Sequence, residues 1–226
     1  MIRRRTTRQI RVGDVPIGGD ALIAVQSMTN TDTADTERTI AQIEQLTASG
    51  CDLVRVAVPD PEAAAALKVV RGGITIPLIA DIHFDWRLAV AAMENGAQCI
   101  RINPGNIGGK TKLARVVAAA RAHRVPIRVG VNSGSIEKDL LRAHGYPTPD
   151  NPTALIESAL RNVRLVEGMG YEELKISIKS SDVLTTIAGY RQLAAKTDSP
   201  LHLGVTEAGG LIAGTVKSSV ALGILL

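Results

Sequence analysis

Short apolar segments rich in β-branched residues alternate with amphipathic stretches along most of the chain. Aspartates such as Asp60 and Asp182 precede the amphipathic stretches and predict helix starts, whereas Gly50 and Gly96 lie where helices should end. This alternation predicts parallel strands joined by right-handed helical crossovers. The seven predicted strands are residues 23–28, 53–58, 77–82, 99–103, 127–132, 174–179 and 201–205.

The repeat predicts a (β/α)₈ TIM barrel. Seven strands leave one seam of such a barrel open, so we expect a barrel truncated after its seventh βα unit. Before the repeat, residues 9–12 and 15–17 flank the dipeptide Gly-Asp and predict a hairpin at the barrel floor. We therefore assign residues 1–22 to an N-terminal hairpin segment and residues 23–226 to the barrel domain.

Charged residues occupy one face of several predicted strands. Successive strand residues point to opposite faces, and the apolar face, for example Val54 and Val56, must meet the helices. The other face then points into the barrel lumen, where Asp81 is the one obvious carboxylate. The predicted lumen cations are Arg55, Arg101, Arg128, Lys175 and Lys179.

Such a lumen needs negative charge or water. Removing an unpaired ion from water costs several kcal/mol, so cations in this excess predict an anionic ligand. Planar guanidinium groups bind phosphate oxygens in pairs, and a lysine adds a mobile point charge. Three arginines and Lys179 therefore suit a diphosphate, whereas Lys175, near a strand start, is expected to be structural.

Further candidates follow the strand ends, where barrel enzymes keep their sites. Residues 103–110 carry glycines and open a helix, which favours contact with a phosphate. His83 follows Asp81 by two residues and should project the same way. Glu207 lies in a glycine-rich turn and is the candidate general acid or base. Residues 133–152 are expected to form a lid.

Composition narrows the class of partner. The net charge of +4 suits an anionic ligand but is too small and dispersed to indicate nucleic acid. Cys51 and Cys99 precede apolar runs, so we expect free thiols, a reducing compartment and no metal site. With no signal-peptide pattern and no apolar run of about 20 residues, a cytoplasmic protein without a membrane partner is expected.

Seven runs of residues, in order along nearly the whole chain, resemble the 4-hydroxy-3-methylbut-2-enyl diphosphate synthase family of the non-mevalonate isoprenoid pathway. Several such runs together are highly specific, although one alone would not be. The runs are 25–31 (VQSMTNT), 52–56 (DLVRV), 80–84 (ADIHF), 100–106 (IRINPGN), 128–135 (RVGVNSGS), 175–182 (KISIKSSD) and 203–209 (LGVTEAG).

The resemblance implies that 2-C-methyl-D-erythritol 2,4-cyclodiphosphate binds at the barrel mouth, where its ring is reductively opened and dehydrated. It also implies a [4Fe–4S] cluster, ferredoxin or flavodoxin as electron donor, and a homodimer. Glu207 matches the acidic residue near the reacting carbons. Arg55, Arg101, Arg128, Asn132 and Lys179 match positions that hold the diphosphate in the family, and His83 and Asn103 match neighbouring ligand-facing positions. With Asp81, assigned from its strand position, these are the candidate substrate-binding residues.

One departure from the family bears on activity. The family holds its cluster in a separate C-terminal domain through three cysteines and a glutamate, and Cys51 and Cys99 are not in those motifs. Cluster ligation needs several suitably placed residues. We therefore expect this chain to be the diphosphate-binding barrel of an iron–sulfur oxidoreductase, inactive by itself.

Two other interpretations stay open. Residues 27–32 are faintly similar to the first-strand motif of dihydropteroate synthase, whose barrel is of the same kind, so a transferase acting on a pterin diphosphate is the alternative enzyme. The lumen cations and residues 206–209 fit the reductive synthase better. The third interpretation is a non-catalytic remnant that binds anions or nothing.

Overall fold

A computed structural model describes residues 5–226. An antiparallel hairpin of β1 (Gln9–Val12) and β2 (Val15–Gly18) comes first, with Gly13 at φ +58° in its turn. Glycine adopts this left-handed conformation without strain. The predicted hairpin is confirmed, and residues 1–4 of the segment assigned to it lie outside the described residues.

Six parallel strands form one curled sheet in which each strand pairs with the next in sequence. The sheet is open, as the predicted seam requires, and the helices pack on its outer face. The strands are β3 (Gln26–Met28), β4 (Leu53–Ala57), β5 (Leu78–Asp81), β6 (Cys99–Ile102), β7 (Ile127–Asn132) and β8 (Leu174–Lys179).

The prediction of a seventh strand at residues 201–205 is wrong in its extent. Leu201 forms a single parallel bridge with Ile176, and the His202 amide donates to the Ile176 carbonyl. The next such bond is from the Thr206 amide to the Ser180 carbonyl, just after β8. β3 is also shorter than predicted. Both segments lie at the edges of the open sheet, where hydrogen bonds from one neighbour only hold a strand in place.

Eight helices cover the sheet among the described residues. Aspartates cap several of them as predicted, for example Asp60, whose side chain accepts from the Ala63 amide at 2.8 Å. No helix in residues 5–226 has the length and apolar character needed to cross a bilayer. The helices are α1 (Thr36–Ala48), α2 (Pro61–Gly72), α3 (Trp86–Glu94), α4 (Lys110–His123), α5 (Lys138–His144), α6 (Thr153–Glu167), α7 (Val183–Ala194) and α8 (Leu211–Leu225).

The main core lies between the sheet and the helices. It contains the apolar residues of each strand that alternate with the polar ones, such as Val54, Val56, Ile100 and Ile102, all with no exposed surface. This placement confirms the predicted division of the strands into a helix-facing and a lumen-facing set. The polar set is thereby directed into the lumen.

A smaller apolar cluster closes the floor of the lumen. Val12 of β1 is fully buried with Leu53, Ile79 and Cys99, the first lumen-facing residues of three strands. The hairpin therefore covers the end at which the strands begin. Ligand-binding residues are left to the other end.

Two arginines join the hairpin segment to the far side of the sheet. The Arg8 guanidinium lies 2.6 Å from Asp198 and 3.0 Å from Glu167, and Arg5 donates to the carbonyls of Thr197 and Ser199. These contacts hold the floor across the open side of the sheet.

We expect Arg8→Ala to lower the free energy of unfolding by about 1 kcal/mol, because it removes the ion pairs with Glu167, Glu172 and Asp198 at once. Thermal unfolding of the two proteins measures the difference. Arg38→Ala is the control, since its side chain is 79% exposed and 3.8 Å from Asp35. Equal melting temperatures for Arg8→Ala and Arg38→Ala would contradict the prediction.

Candidate functional site

The parallel register places charged side chains in one row across the lumen. Asp81, Arg101, Arg128 and Lys175 are successive pairing partners on β5, β6, β7 and β8. Since all four belong to the lumen-facing set, their side chains enter the same space. The structure therefore brings together the predicted lumen cations.

Asp81 is shared by two of these cations. Its oxygens lie 3.1 Å from Arg101 Nη1 and 3.4 Å from Arg55 Nε, and it is 4% exposed. Burial by itself raises the pKa of Asp81, but Arg101 and Arg55 outweigh this effect, and the net pKa is lowered. Asp81 is consequently ionised, and His83 Nε2 lies 3.7 Å from it.

Arg128, Lys175 and Lys179 have no carboxylate partner among the described residues. Arg128 is 1% exposed, and its Nε and Nη1 have no hydrogen-bond partner in residues 5–226. Burial, and then Arg55 and Arg101, lower the pKa of Arg128 to about 9. Lys175 is 2% exposed, so the structural role expected for it is not that of an ion pair.

Lys179 lies in the same positive field. Burial, and then Arg128 and Arg55, lower the pKa of Lys179 to about 7. The lumen thus holds five basic side chains against one carboxylate. Negative charge brought by a ligand would relieve the desolvation of these cations.

Glycines that the sequence did not single out make room for two cations. An ideal Cβ atom on Gly130 of β7 would lie 2.5 Å from Arg101 Nε, closer than any real contact allows. A Cβ atom on Gly204 would lie 3.2 Å from Lys179 Nζ. A glycine at a lumen-facing strand position often marks the close approach of another group, and the sequence could have indicated this role.

A cavity of about 570 Å³, here termed the mouth cavity, opens above the row of charges. Arg55, Arg128 and Lys179 are not part of its wall, although Lys179 pairs in register with Asn132, which is. The predicted residues that line it are His83, Arg101, Asn103, Asn132 and Glu207.

Two exposed aromatic residues at the rim were missed. Phe84 and Tyr146 are 70% and 63% exposed and also line the mouth cavity. Tyr146 belongs to the predicted lid segment, residues 133–152, which forms a 3₁₀ turn (Ser133–Ser135) and α5. The chain contains only five Phe, Tyr and Trp residues, so the presence of two of them after predicted strand ends could have indicated a binding site.

Glu207 has a left-handed backbone conformation, which is uncommon for a residue other than glycine. Its φ is +50°, and Arg124 is the other non-glycine residue with positive φ in the described part of the chain. This left-handed conformation costs an ordinary residue about 1 kcal/mol or more. The turn predicted beyond the strand end is therefore present, and Glu207 is part of the wall of the mouth cavity.

No group of three or more metal-ligating side chains occurs in residues 5–226. Cys99 is buried in the floor cluster and Cys51 is partly buried, and both are free thiols. Burial raises the pKa of the Cys99 thiol, the opposite of what a metal ligand needs.

Comparison with known proteins identifies the family. Residues 7–226 match the family model described as the GcpE TIM-barrel domain. The chain is 69% identical over its whole length to 4-hydroxy-3-methylbut-2-en-1-yl diphosphate synthase (flavodoxin) from Desulfotalea psychrophila, and 59% identical over 99% of its length to the protein of that name from Lawsonia intracellularis. It spans 62% and 61% of the length of these curated relatives.

Solved structures share the fold. Yersinia pestis dihydropteroate synthase is 8% identical with a TM-score of 0.57, covering 95% of this chain and 97% of its own. Geobacillus kaustophilus 3-dehydroquinate dehydratase is 17% identical with a TM-score of 0.63, covering 96% of this chain and 84% of its own. The predicted barrel of the dihydropteroate-synthase-like kind is confirmed, and at such low identity the likeness shows the fold alone.

We expect Gly130→Ala to weaken the binding of inorganic diphosphate about tenfold, because the new methyl group displaces Arg101 from its place beside Asp81. Isothermal titration calorimetry measures the affinity. Gly72→Ala is the control, since nothing lies within 4 Å of its added carbon. Unchanged affinity in Gly130→Ala would show that the Arg101 position is not needed.

Stability should rise with pH because of Lys179. Its folded pKa of about 7 lies below the ordinary value of 10.5, so between these values the unfolded chain binds one more proton. The free energy of unfolding should then increase from pH 7 to 9 by at most about 1.4 kcal/mol per pH unit for this residue. Urea titrations of the wild type and Lys179→Met at both pH values test this, and equal slopes with pH would contradict it.

Proposed function

Because the chain belongs to the GcpE TIM-barrel domain family, we propose that it is the substrate-binding barrel of a 4-hydroxy-3-methylbut-2-en-1-yl diphosphate synthase. The proposed substrate is 2-C-methyl-D-erythritol 2,4-cyclodiphosphate, a ring that carries two linked phosphates. The observation that supports it best is the row of lumen cations with only Asp81 to balance them. Two phosphate charges would compensate this excess.

The proposed roles follow from the charge balance of the lumen. Arg128 and Lys179, which have no carboxylate partner among the described residues, would bind the phosphate oxygens. Arg55 and Arg101 are partly neutralised by Asp81 and would complete the phosphate contacts. Asn132, Asn103 and His83 would contact the ligand from the cavity wall.

The proposed reaction opens the cyclic diphosphate, removes one hydroxyl group as water and adds two electrons. Glu207 lines the mouth cavity together with Arg101 and would hold or donate the proton that the departing hydroxyl needs.

A [4Fe–4S] cluster would supply the electrons in the complete protein. The described residues do not fit the ligation of such a cluster, because they contain no group of metal-ligating side chains and Cys99 is enclosed in the floor. No step on this chain is derived through it. Flavodoxin, which is part of the name of the relatives, is the proposed electron donor, with ferredoxin as the alternative.

Assembly and location stay predictions. A homodimer would allow one subunit to cover the mouth cavity of the other, and a cytoplasmic location is expected. The transferase interpretation has only fold likeness in its support, since the dihydropteroate synthase compared above is 8% identical. Calorimetry with the cyclodiphosphate tests the non-catalytic interpretation, which allows binding of any anion or of none.

We expect Arg128→Met to weaken cyclodiphosphate binding by about 10- to 100-fold, through the loss of charged hydrogen bonds worth roughly 1.5–3 kcal/mol each. The same change should leave the melting temperature of the ligand-free chain unchanged or higher, because it replaces a desolvated cation by an apolar side chain. Calorimetry and thermal unfolding of one sample give both values.

A surface change serves as the control for that experiment. Arg87→Met removes an arginine of which 74% of the side chain is exposed, outside the lumen. It should leave the affinity for the cyclodiphosphate unaltered. Absence of binding by the wild-type chain, or retained binding by Arg128→Met, would overturn the proposed function of the lumen.

A further inference from the structure

A cluster of polar side chains meets at Gly105, in the segment between β6 and α4. An ideal Cβ atom on Gly105 would lie 3.4 Å from Asn103 Oδ1, 3.5 Å from Asn162 Oδ1 and 3.7 Å from Glu137 Oε1. The three oxygens come from the end of β6, from α6 and from the residue that precedes α5. Three separate elements of the barrel mouth are therefore joined at one glycine.

Asn162 lies on the buried face of α6. It is 1% exposed, and Ser158, Ala159 and Val166, one turn before or after it on the helix, are also buried. A buried amide among apolar side chains destabilises a protein unless its hydrogen bonds are made. Its presence in this position indicates a specific contact.

The hydrogen bonds of Asn162 fix which way its amide points. Nδ2 donates to Glu137 Oε1 at 3.1 Å and to the Ser158 carbonyl at 2.9 Å, which uses both amide hydrogens. The amide oxygen is therefore directed to the side of Gly105. We term this hydrogen-bonded pair, Glu137 and Asn162, the support; it lies beside Gly105 without a hydrogen bond to it among the described residues.

The orientation of Asn103 is set by its contact with Gly105. Asn103 Oδ1 accepts from the Gly105 amide at 3.1 Å, so its Nδ2 group is turned away from Gly105. Asn103 also lines the mouth cavity. It can thus present N–H donors to a phosphate or hydroxyl oxygen, whereas the flipped amide would present an oxygen that repels phosphate.

The support is not optimised for stability. Glu137 Oε2 and Asn162 Oδ1 are buried without a hydrogen-bond partner among the described residues. Unpaired buried acceptors reduce stability by about 1–3 kcal/mol each. Polar groups kept at such a cost are typical of functional sites.

We propose that Glu137 and Asn162 are positioning residues for ligand binding: they hold Gly105 and, through it, the Asn103 amide with its donors toward the mouth cavity. The identity of the ligand in this proposal rests on the proposed function. Glu137 and Asn162 themselves do not line the mouth cavity. Their effect on the ligand is therefore exerted through Asn103.

Calorimetry with 2-C-methyl-D-erythritol 2,4-cyclodiphosphate tests the proposal, with thermal unfolding of each variant alongside. Glu137→Ala and Asn162→Leu should each weaken binding about tenfold, the effect of losing one oriented hydrogen bond to a charged ligand. Glu137→Gln should restore wild-type affinity, because its amide oxygen still accepts from Asn162. Asn162→Leu, placed among apolar neighbours, provides a second test should Glu137→Ala not fold.

Asp139→Asn is the matched control. Asp139 accepts from Arg161 at 3.1 Å and 2.8 Å and so joins the same two helices, α5 and α6, on their exposed side. Losing this contact should alter the melting temperature at most and leave affinity unchanged. Weakened binding in Glu137→Ala and Asn162→Leu, but not in Asp139→Asn, would support the proposal.

Other results would overturn it. Wild-type affinity in Glu137→Ala or Asn162→Leu, with only the melting temperature lowered, would show a merely structural role. An affinity of Glu137→Gln as low as that of Glu137→Ala would also refute positioning by this hydrogen bond. If the wild-type chain itself bound no cyclodiphosphate, the proposed function would fail first, and this inference with it.

Discussion

Desolvated positive charge in the lumen is the constraint on which the site depends. Arg101, Arg128 and Lys175 lie side by side because three neighbouring parallel strands share one register, and Asp81 is the single carboxylate beside them in residues 5–226. In the empty chain this arrangement opposes folding, since buried cations lose hydration without full compensation. The apolar core on the other face of the same strands supplies the stabilisation that makes the arrangement possible.

The residues around the cations allow these desolvated charges to be held close together. Gly130 gives Arg101 the space to lie across β7, and Asp81 holds two arginines in place without neutralising the row. Glu137 and Asn162 add unpaired acceptors close to the same mouth. Stability and binding therefore have opposite requirements at these positions, as is common where a site is prepared for a charged ligand.

Much of the site could be predicted from the sequence because strand alternation is a local property. The parity of β4 to β8 assigned Arg55, Arg101, Arg128 and Asp81 to the lumen, and the structure confirms this placement. The space at Gly130 depends on a side chain of the neighbouring strand, and the Asn162 contacts depend on how α6 packs, so neither follows from local pattern. Residues 201–205 do not form a full strand, because at the edge of the sheet they have β8 as a neighbour on one side only, and local pattern does not show how many strands will pair. The family itself was identified from resemblance, whereas physical reasoning alone ends at a diphosphate-binding barrel.

Most residues that line the mouth cavity are uncharged, among them Asn106, Ser135 and Tyr146, and Arg101 contributes a positive charge. Coulomb attraction acts on any anion and does not distinguish one carbon skeleton from another. A cell contains many small phosphorylated metabolites, and the cations would attract all of them. Discrimination among these competitors must then come from the uncharged wall, through its fit to the carbon atoms of the ligand. We therefore expect changes of the wall residues to alter which phosphorylated compound binds, and changes of the cations to weaken the binding of all of them alike.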